Sequence, residues 1–396
     1  MTGKPLPSWA EQMKALEKVG DSLVEYWKPQ GATEVERQDM YKLALSMLSG
    51  GYLCRVYTNE RRPEFMPLWN IALNQGGPNP DYVYVTTEID AKGVYQISGY
   101  RGTSRFVEIT QHKLDMFKAE RSSTPPVAVT NDLDELKLDM HGYFSVILSA
   151  KKPDGYEGDW WPMHPQSDRL LVRKCAADWH TEIDARLAIN RLDGESVDMP
   201  PEETARRFSD LPAWIEGMIR FDMGLVRYYR EHHGLNTLLR SKIIDTMGGL
   251  PKQAYYDGIH EINDSEALII ETELPKKCRY WQALVADDRF ATVDWVNRQS
   301  SLNDVQARLD ADGKFRAVVS RLDPGVPNWL DKGDFPWGII QMRFNHGSDY
   351  PDPTLKKVPF AEIRKHLPAD TPVVTPQQRK EQLRKRREGA QFRQLW

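Results

Sequence analysis

Two aspartates set in polar, aromatic-bounded strings are the residues of this chain best suited to chemistry. Asp294 opens DWVNRQSSLN (294–303), and Asp331 lies within DPGVPNWLDKGDFPW (323–337). A carboxyl that exchanges its proton near neutral pH serves as a general acid or base, and two in one site divide those roles. Groups that recognise polar ligands surround both. Asn297, Arg298 and Asn303 share a loop with Asp294, and amides and guanidinium groups bind a carboxylate, a sulfate or sugar hydroxyls in bidentate fashion. Asn328, Trp329 and Trp337 flank Asp331, where an indole face would cover the apolar side of a ring-shaped ligand. Arg343 follows in phase with Gln341 and Asn345, the phase either of a pocket wall or of a solvent-facing edge. The loop also has a plainer reading, a buried polar network that satisfies backbone groups.

The signatures of several other chemistries are absent. No GxGxxG follows a strand, and there is no GxxxxGK[ST], no GxSxG and no HExxH. Neither a nucleotide cofactor nor a nucleophile elbow is therefore expected. No metal is expected either. His232 and His233 are adjacent, which on a helix points them about 100° apart. His180 and Glu182 would share one face of a strand, with no second histidine nearby to complete a site.

The elements that must position these residues come from an internal repeat. HGYFSVILSAKKP (141–153) aligns without a gap on DGKFRAVVSRLDP (312–324), placing Phe144, Val146 and Leu148 over Phe315, Ala317 and Val319. One face of an alternating strand is apolar in both copies. Asp159, Trp160 and Arg173 then correspond to Asn328, Trp329 and Arg343. Upstream, DYVYVTTEIDAKGVYQI (81–97) can be laid over SEALIIETELPKKCRYWQ (265–282), pairing Val83, Val85, Ile89 and Tyr95 with Leu268, Ile270, Leu274 and Tyr280. That alignment puts an insertion in the first copy, between residues 112 and 131. The expected fold is mainly β with helical additions: two tandem jelly-roll-like β-sandwich units.

The expected boundaries are N-terminal helices over 1–52, a first sandwich over 53–199, a helical connector over 200–250, a second sandwich over 251–370 and a basic C-terminal helix over 371–396. Within the first segment, Ser8 caps a helix to about Tyr26, and Gly50 and Gly51 stop a second one from Thr33; both are expected to pack on the first sandwich.

Composition bounds the partners. The net charge is −4, yet the last 26 residues carry seven Lys/Arg against two Glu, leaving about −9 on the rest. A body of that charge argues against nucleic acid as a partner. The basic terminal helix is read as solvated or docked on its own protein, with anionic lipid or nucleic acid as the alternative. Three widely spaced cysteines without a CxxC fit a reducing compartment. No run is long and apolar enough to span a bilayer, so a soluble cytoplasmic protein is expected.

The strings NPDYVYVTTEID and YRGTSRFVEIT resemble the bacterial domain-of-unknown-function family 1254. RYWQALVADDRFATVDWVNRQSSLN followed by DPGVPNWLD is similar to the companion family 1214. The resemblance covers roughly residues 76–193 and 262–346 and implies a pair of jelly-roll-like sandwiches without implying an activity. The chain departs from the second family at Phe335–Trp337, where a more polar segment with a histidine belongs.

The leading functional expectation is acid/base chemistry of hydrolase or lyase type on a small cyclic compound such as a steroid, terpenoid, aromatic or sugar. Asp294 or Asp331 would act as acid or base, and Arg298 or Arg343 would orient the ligand. A glycan-active hydrolase with a carboxylate pair is one alternative, favoured by a groove lined by Trp329 and Trp337. A non-catalytic ligand-binding or assembly module is the other, and exposed aromatics together with the terminal helix are compatible with a homo-oligomer.

Overall fold

The structure, a computed structural model, describes residues 6–113, 127–195, 197–242 and 249–394. Three helices open it: α1 (Trp9–Glu17), α2 (Val19–Trp27) and α3 (Glu34–Gly51). Ser8 with Glu11 and Thr33 with Glu36 form reciprocal capping boxes that satisfy the first free N–H groups of α1 and α3. The expected single helix to Tyr26 is broken at Lys18. Beyond the break Gly20 lies against the Tyr41 ring, where a Cβ would sit 3.0 Å from a ring carbon. Gly50 and Gly51 do not stop the next helix. α3 runs through them into a π-helical turn (Tyr52–Tyr57), and Gly51 is bare because any side chain would strike Leu211 and Trp214.

Those two residues belong to α4 (Pro201–His232), the 32-residue connector. Leu23, Met40 and Met47 pack with Trp214, Ile215 and Met218 in a helical core. The N-terminal helices therefore pack chiefly on α4, and Trp27 reaches the second sandwich rather than the first. Their apolar stripes meet a helical partner that lies far along the chain, which local periodicity does not reveal.

The first unit comprises β1 (Met66–Pro67), β2 (Tyr82–Glu88), β3 (Tyr95–Tyr100), β4 (Phe106–Lys113), β5 (Val127–Asp132), β6 (Tyr143–Ser149), β7 (Asp159–Pro162), β8 (Arg169–Cys175) and β9 (Arg186–Arg191). The second comprises β10 (Leu239–Arg240), β11 (Gln253–Glu261), β12 (Glu266–Thr272), β13 (Tyr280–Ala286), β14 (Ser301–Asn303), β15 (Phe315–Ser320), β16 (Trp329–Asp331), β17 (Trp337–Asn345) and β18 (Thr354–Pro359). Sheet orders are β1-β2-β8-β4-β5 and β7-β6-β3-β9 in one, β10-β11-β17-β13-β14 and β16-β15-β12-β18 in the other. Strand for strand the two orders are the same. Even the parallel pairings recur, β6 with β7 and β15 with β16. Each pair of sheets encloses its own core, around Tyr95, Phe144 and Val172 in the first and Phe315, Ile340 and Phe344 in the second. The chain is thus a mainly β protein of two tandem sandwich units with helical additions.

This order corrects one alignment. β2 occupies the place of β11, not of β12, so Tyr84 corresponds to Tyr255. The pairing of Val83 and Val85 with Leu268 and Ile270 slipped by one strand. The insertion inferred from it shrinks accordingly. From Glu108 to its partner Asp132 the first copy is only three residues longer than the second from Gln282 to Asn303. Residues 114–126 of that stretch lie outside the described residues. Another strand is shorter than expected: β9 begins at Arg186, so His180 and Glu182 lie in the turn before it. Glu182 accepts N–H bonds from Arg105, Ala177 and Asp178 there.

The basic tail forms α5 (Pro376–Phe392), which docks on its own protein. Arg379 bonds Asp323, Gln299 and the carbonyl of Val326; Arg386 bonds Ser301 and the carbonyl of Trp295. Beyond the helix, Arg393 is paired with Asp184 at 3.0 Å.

Candidate functional site

β13 leaves the second sandwich into the sequence Asp287-Asp288-Arg289-Phe290, and this turn forms one wall of a cleft of about 530 Å³. That volume lies in the range of small-molecule sites. α2 and α3 form the facing wall, and the loops at 291–298 and 333–336 close the ends. Trp27, Phe335, Val35 and Leu43 supply apolar surface; six carboxyl groups face four cations across it.

The adjacent aspartates have opposite surroundings. Asp287 accepts backbone N–H bonds from Arg289 and Ala291, both at 2.9 Å, and a further bond from the Arg289 guanidinium at 2.9 Å. Arg289 is held in turn between the rings of Trp27 and Phe335, at 4.9 and 5.6 Å. Asp288 is 7% exposed. Its Oδ2 accepts a bond from Trp27 Nε1 at 3.1 Å, while Oδ1 has no partner among the described residues. Burial, and then the charge of Asp287, push its pKa up to about 6. A carboxyl whose pKa is raised toward neutral is suited to give a proton.

The backbone beside them is strained. Phe290 has φ 66°, a region that bulky residues avoid, and Gly77 holds it there. The Gly77 N–H donates to the Phe290 carbonyl at 2.7 Å. A Cβ on Gly77 would come within 2.3 Å of the Phe290 ring, and its φ of +60° also demands glycine.

A carboxyl whose pKa folding has raised stabilises the native state only while protonated. That contribution is complete below the unfolded value near 3.8 and is lost as the pH climbs through about 6. Asp288→Asn, neutral throughout, escapes the loss. Its melting temperature relative to wild type should therefore rise from about pH 4 to about pH 6.5 in calorimetry. A difference that stays flat would mean that Asp288 is ionised across the range.

The residues singled out from sequence are dispersed. Asp294 and Arg298 line the cleft; Asp331 does not. Asp294 Oδ1 caps its own turn, accepting from the N–H groups of Val296 and Asn297 at 3.1 Å, and Oδ2 accepts from the Asn297 amide at 2.8 Å. Asp331 sits behind the wall, bonded to Arg298 at 3.1 Å and to the Gly333 N–H at 2.9 Å, and burial raises its pKa. The pair Asp294 and Asp331 thus does not share the cleft; Asp331 orients Arg298.

The ligand-binding candidates mostly serve the protein itself. Asn297 accepts a bond from Arg387 of α5, and Asn303 joins the two sandwiches by donating to Asp81 and to the Ala177 carbonyl. Asn328 donates to the carbonyls of Arg308 and Arg316. Trp329 is buried under Arg379, its indole N–H donating to the Ser320 carbonyl. Trp337 stacks on Arg230 at 4.4 Å. Arg343 opens onto a different cavity. Asp287, Asp288, Arg289 and Trp27 escaped sequence reasoning, although the doublet DDR directly after a strand was a usable signal. Among the described residues no three His, Cys, Asp or Glu side chains converge to hold a metal ion.

No family model and no curated protein matches the chain. Among solved structures, 18 chains match. An uncharacterised protein from Burkholderia cenocepacia is similar with a TM-score of 0.80 at 22% identity, over 89% of this chain and 97% of that one. The VPA0106 protein from Vibrio parahaemolyticus matches with a TM-score of 0.45 at 14% identity, over 85% of this chain and 100% of that one. The chain shares the fold of the Burkholderia protein, sandwich units and helical additions together.

Proposed function

We propose that the chain processes a small cyclic, hydroxylated compound in the cleft between α3 and the 287–298 turn by acid/base chemistry of hydrolase or lyase type. The observation that carries this reading is Asp288, a protonatable carboxyl in the wall of that cleft with one oxygen unpartnered among the described residues. In the reaction Asp288 gives its proton to a leaving oxygen, and Asp294 takes one from water or from the neighbouring carbon. Arg298, held by Asp331, orients a ligand hydroxyl, while Trp27 and Phe335 cover the ring's apolar edges.

A ligand-binding module without catalysis is the second reading. It is favoured by Asp294, whose two oxygens are already engaged by three hydrogen bonds within its own turn. The glycan-hydrolase alternative loses support, since neither Trp329 nor Trp337 lines the cleft. A reducing, cytoplasmic setting is supported by three free cysteines. No helix among the described residues is long and apolar enough to cross a membrane.

A thermal-shift screen against steroids, terpenoids, phenolics and oligosaccharides tests the site. A ligand at 100 times its dissociation constant adds about 2.7 kcal/mol, a shift of several degrees. One class should raise the melting temperature of the wild type, with the rise reduced in Arg298→Ala. A screen blank in every class, or a rise indifferent to Arg298, would remove the cleft as the binding site.

A further inference from the structure

A second cavity, of about 120 Å³, lies where the two sandwiches meet α4, and the repeat supplies its polar groups twice. Tyr84 on β2 is the cross-strand partner of Arg173 on β8; Tyr255 on β11 is that of Arg343 on β17. These equivalent pairs line one cavity. The duplication extends to the backbone, because the N–H of Asn79 donates to the Tyr84 hydroxyl at 3.1 Å and that of Leu250 to the Tyr255 hydroxyl at 3.0 Å. Each phenol oxygen is thereby oriented as an acceptor. Its own O–H donates to no protein group among the described residues, so two donors remain unused at the cavity wall.

Beside Arg173, whose guanidinium donates to the Thr110 hydroxyl at 3.1 Å, Arg343 is the second cation among them. It is 6% exposed, and its guanidinium donates to Gln282 at 3.1 Å and to the Gly77 carbonyl at 3.0 Å, with the Tyr255 ring 5.9 Å away. All three partners are neutral, and no carboxylate forms an ion pair with it among the described residues. Two carboxyls nearby, Asp222 and Asp257, are buried themselves; burial raises the pKa of both, and the charge of Arg343 draws that of Asp257 back down. A buried cation without a counter-ion is costly to maintain. His112, 1% exposed and lining the same cavity, has both ring nitrogens unpartnered among the described residues. Burial pushes its pKa down to about 3, so it stands as a neutral imidazole with an N–H to give. Leu171, Met218, Leu225 and Phe290 give the wall an apolar part, beside the polar Gln75, Asp222, Gln253 and Gln341.

We propose that this cavity binds a small monocarboxylic acid with an apolar body, its carboxylate received by Arg343 and the hydroxyls of Tyr84 and Tyr255. A carboxylate supplies the missing charge and accepts the unused O–H groups, and the apolar wall takes the body of the acid. A phosphate would leave the apolar part of that wall uncovered. The inference stands apart from the cleft of Asp288.

Calorimetric titration of the full chain with benzoate and hexanoate, and with inorganic phosphate as the comparison, tests it. One of the two carboxylates should bind saturably and phosphate should not. Tyr84→Phe and Tyr255→Phe keep the rings and are each expected to weaken that binding about tenfold, the loss of one hydrogen bond to a charged acceptor. Arg343→Gln should abolish it while leaving the melting temperature of the unliganded protein no lower, since an unpaired buried charge is removed. Absence of carboxylate binding, equal binding of phosphate, or full retention in both tyrosine variants would overturn the proposal.

Discussion

Replacing Arg393 with alanine is expected to destabilise the protein by about 3–5 kcal/mol, the effect of removing one partner from a buried ion pair. In a chain of this size that lowers the melting temperature by roughly 4–6 degrees. The side chains of Arg393 and Asp184 are 7% and 10% exposed and meet at 3.0 Å; the same guanidinium donates to the carbonyls of Pro80 and Lys174. Truncation takes from the buried Asp184 carboxyl its direct partner, leaving only the neighbouring charge of Lys174, and frees two carbonyls where water enters poorly. Arg384, also basic and nearby, pairs with Glu381 on the open face of α5. Its replacement by alanine should leave the melting temperature unmoved, as exposed pairs contribute little. Equal responses from the two variants in calorimetry would mean that the tail is not docked in solution.

Asp288→Asn carries the second large effect. Once a turned-over compound is in hand, the variant is expected to lose about 10²- to 10⁴-fold in kcat, the range attributed to general acid catalysis. The amide preserves the bond to the Trp27 indole and the packing of the wall, so KM should change far less than kcat. A variant that keeps its turnover would move the acid role to another group. A variant that loses binding and turnover together would instead make Asp288 a group that holds the ligand rather than the acid.

How much of this was legible in the sequence differs from element to element. The match of 141–153 with 312–324 was ungapped and rich in turn residues, which pinned its register. Upstream the match rested on alternating apolar residues, a pattern that any strand buried on one face repeats, so β2 was laid on the wrong strand. What relates β2 to β11 is Tyr84 and Tyr255, which carry the same backbone-to-phenol bond. The density of amides and arginine in 294–303 was a real signal of recognition. Its object is largely the protein's own α5, through Asn297, Gln299 and Ser301, and a sequence does not distinguish a ligand from a distant segment of the same chain. Asp288 was hidden for a related reason. Its surroundings depend on Trp27, 261 residues away, and no local pattern joins the two.

The most direct test of the central claim is a crystal structure of the protein with the best compound from the thermal-shift screen. The account places that compound between Trp27 and Phe335, with a polar atom within hydrogen-bond distance of Asp288 and another near Arg298. Density for the compound elsewhere, with the 287–298 turn unchanged and Asp288 still facing an empty cleft, would contradict it.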